Sequence, residues 1–321
     1  MSSSTSSQEM GSAPERLNDD SGASIAGPAV GDKGQGQGKR WFADIHRLAN
    51  KRRSKTEENY HVYTDGVEFG TAERLVDIPM KAGDSLYVDT IPVEITDEFI
   101  ELLRRGVRVF YLRRLTLLKK MYEKLQMKSK TARNDLRAMM AVESRWFREV
   151  SEDFLTMREM ISAFRCLERT KQRFENQLKA ASEATKDSFR RLIDHTEEEI
   201  EIIALTIVQE AEKRCPLFKT IVQELGITGE NHLLAREALA ELLTYVDFNL
   251  SFTKIRRYLG LYPRHGERYN HDARKALERL TRGLITGAIT AKHLVDIAKT
   301  IWLTYRRETQ RPAGIPAQQQ G

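Results

Sequence analysis

Three aspartates stand where carboxylate chemistry could be assembled. Asp65 lies inside YHVYTDGVEF, beside Gly66. Asp89 ends DSLYVDT, and Asp135 lies in KSKTARNDLRAM, a segment of helical pattern. Aspartate is depleted in strands, so Asp65 and Asp89 need a reason to be there. One reason is metal: clustered carboxylates supply the hard oxygens that Mg²⁺ prefers. Two such ions about 4 Å apart can activate an attacking oxygen and stabilise a leaving one in phosphodiester chemistry. The other reason is local, because strand-end aspartates also bind turn backbone. The residues alone leave both readings open.

Basic residues form a second constellation. Residues 39–55 carry seven Lys/Arg against one Asp, and residues 104–120 carry seven with no acid. Residues 254–268 carry five, plus His265, against one Glu. Arg113, Arg114, Lys119, Lys120, Lys254, Arg256, Arg257, Arg264, His265, Arg268 and Tyr269 are the candidate nucleic-acid contacts in these runs. Three separated clusters suit a long polyanion better than a small anion. Solvated surface charge is the bland alternative.

The elements that must position these groups follow from periodicity. Strands are expected at YHVYTDGVEF, AERLVDIPM and DSLYVDT. Thr96 caps a helix, DEFIELLRRG, which Gly106 ends, and a fourth strand, VRVFYLR, follows. Strand, helix, strand implies a parallel pair and the front half of an α/β sheet. A short basic amphipathic helix is expected over 40–56, from Trp41, Phe42, Ile45 and Leu48. Helices are expected from 115 and over roughly 131–149. Residues 150–213 read as a long antiparallel helical hairpin that turns near 182–187. Residues 214–308 read as a helical block, in which Gly226 and Gly229 precede an amphipathic helix.

The whole chain bounds the class. Its 321 residues allow two or three domains, and 31% charged with 40% hydrophobic residues is a soluble, helix-rich composition. No run is long and apolar enough to span a bilayer, and no signal-peptide pattern opens the sequence, so a cytoplasmic protein without a membrane partner is expected. Residues 1–38 and 309–321 have the composition of disordered tails. Cys166 and Cys215 lack metal-ligand spacing and are expected to be buried thiols.

The order of these motifs resembles the DEDD-type transposases of the insertion-sequence family known for bridge-RNA guidance. Asp65 stands where that family has its first acid, and Asp89 in LYVDT where it has a glutamate. In KSKTARNDLRAM, Lys130, Thr131 and Asp135 match, and Ala132 stands at the third acid. LERTKQRFENQLKA is similar to the family's arm, and LGITGENHLLAREALAELL to its helix–hairpin–helix entry. SFTKIRRYLGLYP is similar to its C-terminal motif. The resemblance implies an RNase H-like (RuvC-like) sheet domain over 39–149, a helical hairpin arm over 150–213 and a helical C-terminal domain of helix–hairpin–helix character over 214–308. It also implies Mg²⁺ held by Asp65, Asp89 and Asp135, and DNA as partner with a guide RNA. Gly226 and Gly229 would then lie near phosphate. Homo-oligomerisation through the arm is a further expectation.

Two departures bear on activity. The third acid is missing, and neither Asn134 nor Glu143 sits in its place. The family's nucleophilic serine is also missing: RHGERYN occupies its region, leaving Tyr262, Tyr269 and Thr281 as nearby hydroxyls. The sequence therefore carries two function classes: a transposase or site-specific recombinase, and a silent descendant that keeps the nucleic-acid grip. A helical adaptor without nucleic-acid role is the third.

Overall fold

The computed structural model describes residues 38–45, 61–262 and 269–310. Six strands form one mixed sheet in the order β3-β2-β1-β4-β5-β6. They are β1 Arg40–Asp44, β2 His61–Thr64, β3 Phe69–Ala72, β4 Ser85–Val88, β5 Arg108–Leu112 and β6 Phe147–Glu149. The central β1, β4 and β5 run parallel; β2 and β3 form a hairpin on one side, and β6 pairs antiparallel on the other.

The main correction concerns β1. Residues 40–44, expected to open an amphipathic helix, are a strand at the centre of the sheet. Trp41 and Ala43 face one hydrophobic cluster and Phe42 faces the other. Burial on both faces erases the polar alternation that marks a strand, so the apolar residues mimic helical spacing. The rest of that expected helix, 46–60, lies outside the described residues, as do the two expected tails apart from Gly38, Thr309 and Gln310.

Other boundaries also move. YHVYTDGVEF is two strands, broken where Gly66 turns the chain at φ +96°. AERLVDIPM holds only a 3-10 turn, Leu75–Asp77. The helix expected over 131–149 ends at Met140; a 3-10 turn carries Trp146, and β6 follows.

Asp84 fixes how the parallel strands start. Its buried carboxylate accepts hydrogen bonds from the Lys39 amide (2.8 Å), the Trp41 indole N–H (2.9 Å) and the Lys81 amide (2.9 Å). Its own carbonyl accepts from the Arg108 amide, and the next residue, Ser85, donates to Lys39. One residue thus ties the first ends of β1, β4 and β5. Burial by itself raises the Asp84 pKa, but the donors outweigh it and the net shift is downward. Gly38 is required beside it, since a Cβ there would meet the Gly83 carbonyl oxygen at 1.9 Å.

The helices follow the expected order. Helix α1, Thr96–Arg104, joins β4 to β5 and ends where Gly106 adopts φ +82°. Helices α2, Thr116–Lys124, and α3, Ala132–Met140, precede β6. The arm is α4, Glu152–Ala180, and α5, Glu183–Arg214, joined by Ala181 and Ser182, slightly before the expected turn. Then come α6 Phe218–Glu224, α7 Leu233–Tyr245, α8 Phe252–Tyr258, α9 His271–Leu284 and α10 Ala291–Gln310. The inner half of the arm (Ile161, Phe164, Ile207) shares one core with Phe218, Leu239, Leu277 and Ile301 of the later helices. Of the cysteines, Cys215 is half-buried, whereas Cys166 is exposed on the arm, contrary to expectation.

A buried charge network crosses that core. Arg279 on α9 donates to Glu237 (2.9 Å) and Glu241 (2.7 Å) on α7 and to Glu168 (3.2 Å) on α4. Arg165 on α4 also binds Glu241, and reaches Asp272 on α9. Two guanidiniums face four carboxylates. Burial pushes the Glu237 carboxyl up to about 8 against the pull of Arg279, which favours its neutral form and eases the excess of negative charge. Replacing one partner of such a network strands a buried charge, which costs about 3–5 kcal/mol. Urea denaturation at pH 7 is therefore expected to show Arg279→Gln less stable by that amount, and Glu237→Gln within about 1 kcal/mol of the parent.

Candidate acidic site

Strand pleat brings together two carboxylates, one of which the sequence reading did not include. Ala43 pairs with Val88 in the parallel register, so Asp44 and Asp89 come next on neighbouring strands. Adjacent strands are about 4.8 Å apart. Side chains alternate between faces, so Asp44 continues the face of Phe42 and Asp89 the face of Tyr87. Phe42 and Tyr87 pack with Leu136 and Met139 of α3 on that face. Asp135, beside Leu136 on α3, therefore faces the same ends of β1 and β4. All three aspartates are half-buried.

Their environment disfavours charge. Burial, then the charge of Asp135, raises Asp44 to about 6, partly offset by Lys130. Burial, then Asp44 and to a lesser extent Asp135, also raises Asp89 to about 6. One Asp89 oxygen, Oδ1, is buried with no hydrogen-bond partner. Asp135 accepts a hydrogen bond from the Tyr122 hydroxyl (2.9 Å), and burial followed by this contact pushes that phenol up to about 12. Among the described residues, no three His, Cys, Asp or Glu side chains are placed to ligate one metal ion together.

Asp65 sits elsewhere. It begins the β2–β3 turn, where its carboxylate accepts from the Val67 and Glu68 amides (both 3.0 Å) and pairs with Lys39. The Lys39 contact, then those amides, holds its pKa well below the ordinary range. This is the turn-binding arrangement weighed against metal binding above. What hid Asp44 was the misread strand: WFAD has no alternation, and the charges around it suggested a surface helix.

The other departures have structural counterparts. Ala132 opens α3 and lines an open groove with Phe69, Gly70, Thr71 and Arg133. Asn134 is engaged with Ser129 and Arg137, and Glu143 pairs with Arg145 on the surface. Thr281 is fully buried and donates to the Leu277 carbonyl, so its hydroxyl is not presented to a substrate.

The basic candidates divide. Within residues 104–120, Arg104, Arg105 and Arg108 are paired with glutamates. Arg113, Arg114, Lys119 and Lys120 are exposed, with no carboxylate within 4.0 Å among the described residues. Arg114 and Arg145 lie against the Trp146 ring at 5.2 and 5.6 Å. Lys254 and Arg257 are exposed, and Arg256 and Arg257 lie against Tyr262. Arg264, His265 and Arg268 lie outside the described residues. Tyr269 is exposed; its ring packs on Gly260 and lies 4.2 Å from the His271 ring. Gly226, at φ +69°, terminates α6, and Gly229 precedes the turn into α7.

No protein-family model matches the sequence, and no curated protein matches it.

The raised aspartates have a definite linkage. Their folded pKa lies above the unfolded value of 3.8, so the folded state loses stability as pH rises from about 4 to 6, and the loss persists above 6. Each pK unit corresponds to about 1.4 kcal/mol. Asp89→Asn is expected to stabilise the metal-free protein by about 1–3 kcal/mol at pH 7.5, with the gain vanishing below pH 4. Thermal unfolding across that range measures it; an unchanged or lower midpoint at pH 7.5 contradicts the charge repulsion described.

Proposed function

We propose that this chain acts on nucleic acid through metal-dependent phosphodiester chemistry on an RNase H-like sheet, with Asp44 and Asp89 as the principal pair and Asp135 as the third charge. The observation that carries this reading is the pair of half-buried, mutually repelling carboxylates, Asp44 and Asp89, side by side at the carboxyl ends of two central strands, with the charge of Asp135 on α3 felt by both. Destabilising charge concentrated at one rim marks functional sites more often than structural ones. The donor set consists of hard oxygens, as Mg²⁺ requires, and the unpartnered Oδ1 of Asp89 offers a free lone pair. Asp44 and Asp89 would hold the cation, which would supply charge neutralisation at the scissile phosphate. The protein's own part is to fix the two carboxylates in register, restrain Asp135 through Tyr122, and hold the strand with the free cations near Arg113, Arg114, Lys119 and Lys120.

On this reading the resemblance to bridge-RNA-guided transposases is kept, with the first acid moved from Asp65 to Asp44. DNA, and a guide RNA, remain the proposed partners, and the arm the proposed contact between copies. The segment from Gly226 into α7 is the counterpart of the family's helix–hairpin–helix entry. No helix among the described residues is long and apolar enough to cross a membrane.

A second reading is favoured by Ala132 at the position of the third acid and by the buried Thr281. In it, the protein binds nucleic acid without cutting it. Labelled DNA incubated with the purified chain and Mn²⁺ or Mg²⁺ separates the two. The first reading expects cleavage or joining that Asp44→Asn abolishes and Asp65→Asn leaves largely intact. Salt-sensitive binding without strand chemistry, unchanged by Asp44→Asn, establishes the second.

A further inference from the structure

A second polar pocket lies on the opposite face of the sheet from the acids. Tyr111 on β5 pairs with Arg148 on β6, so the two side chains share a face. Arg113, two residues beyond Tyr111, returns to that face at the end of the strand. Tyr245 at the end of α7 and Tyr258 at the end of α8 close the pocket, together with Asp247. The cavity is about 100 Å³, which suits one phosphate group and not a base.

The pocket is cationic and wet-edged. Among the described residues, neither Arg113 nor Arg148 has a carboxylate within 4.0 Å. Asp247 turns one oxygen to the Asn249 amide (3.1 Å), in a local turn. The Arg148 guanidinium is held 5.1 Å from the Phe154 ring centre. Phe154 stacks on Tyr111 (5.9 Å, 11°) and meets Tyr245 edge-on (6.2 Å). Packing on rings pre-organises the planar donor fork, so less entropy is lost when an anion arrives. The Tyr258 ring forms part of the wall, fixed by its hydroxyl, which accepts from Asn270 (2.6 Å) and donates to the Tyr245 carbonyl (3.5 Å). Arg148 is half-buried, so its charge costs desolvation that no carboxylate within 4.0 Å among the described residues returns, while Arg113 stands exposed at the mouth.

We propose that Arg113 and Arg148 grip one phosphodiester of a nucleic-acid strand. This rests on the nucleic-acid reading above and adds to it a specific backbone contact. The pocket and the acids share a rim: Asp44, Asp89 and Arg113 follow β1, β4 and β5, which are parallel and span about 10 Å in two strand spacings. A strand held at Arg113 and Arg148 thus passes over the carboxyl edge of the sheet, beside the carboxylates.

Fluorescence anisotropy of the full chain with labelled single- and double-stranded DNA and RNA, across a salt series, tests this. The Arg113→Gln/Arg148→Gln double variant is expected to bind about tenfold more weakly, with the slope of log affinity against log salt reduced by about 1. Arg148→Lys keeps the charge and loses the fork, and is expected to fall between. Arg173→Gln on the exposed arm serves as control and leaves binding unchanged. The thermal midpoint of each variant distinguishes lost folding from lost contact, and Arg148→Lys carries the test if the double variant does not fold. A folded double variant that binds like the parent overturns the pocket but not the nucleic-acid reading. A parent that binds no nucleic acid overturns both.

Discussion

The sheet depends on one buried carboxylate. Asp84 binds the amide of Lys39, the indole of Trp41 and the amide of Lys81, and its own backbone receives Arg108. Three parallel strands therefore begin in a common register. Because strands rise evenly, alignment at the first ends is carried to the last ends, where Asp44 and Asp89 stand side by side. A one-residue slip of β1 would send Asp44 to the opposite face, away from α3. A carboxylate satisfied by three donors at one rim thus positions two that repel each other at the other.

The two rims differ in charge logic. Asp84 gains enough hydrogen bonds to ionise despite burial, whereas Asp44 and Asp89 are buried beside other carboxylates and resist ionisation. Stability is drawn from the first and spent at the second. The helical half repeats the pattern on a larger scale. Arg279 and Arg165 join α4, α7 and α9 through Glu168, Glu237, Glu241 and Asp272, binding the inner arm to the later helices. Toward the turn the arm leaves this core and Leu192 of α5 is exposed, as are Ile202 and Leu205 on the outward side of its inner half.

Within residues 104–120 the free cations lie at the end of β5 and on the helix after it, while the upstream arginines of the same run are neutralised by Glu101, Glu149 and Glu152. Of one basic run in the sequence, then, only the part beyond residue 112 is free to meet a polyanion. The Arg113–Arg148 pocket and the aspartates flank the carboxyl edge of the same parallel strands, where ligands of open α/β sheets commonly bind.

The sequence by itself determined the helix-rich character, the α1 crossover between parallel strands and the hairpin arm. It also marked Asp89 and Asp135. These are local properties: amphipathic spacing, and a glycine such as Gly106 where φ must be positive. Only the tertiary structure decided that WFAD is the central strand, because a strand buried on both faces loses the alternation that would announce it. It alone placed Asp44 beside Asp89 and Asp65 in the β2–β3 turn, since which aspartate meets another is set by register, not by spacing along the chain. It alone found β6, whose three residues are held by pairing with β5 and carry too little pattern to be read. The Arg148 side of the anion pocket was invisible for the same reason.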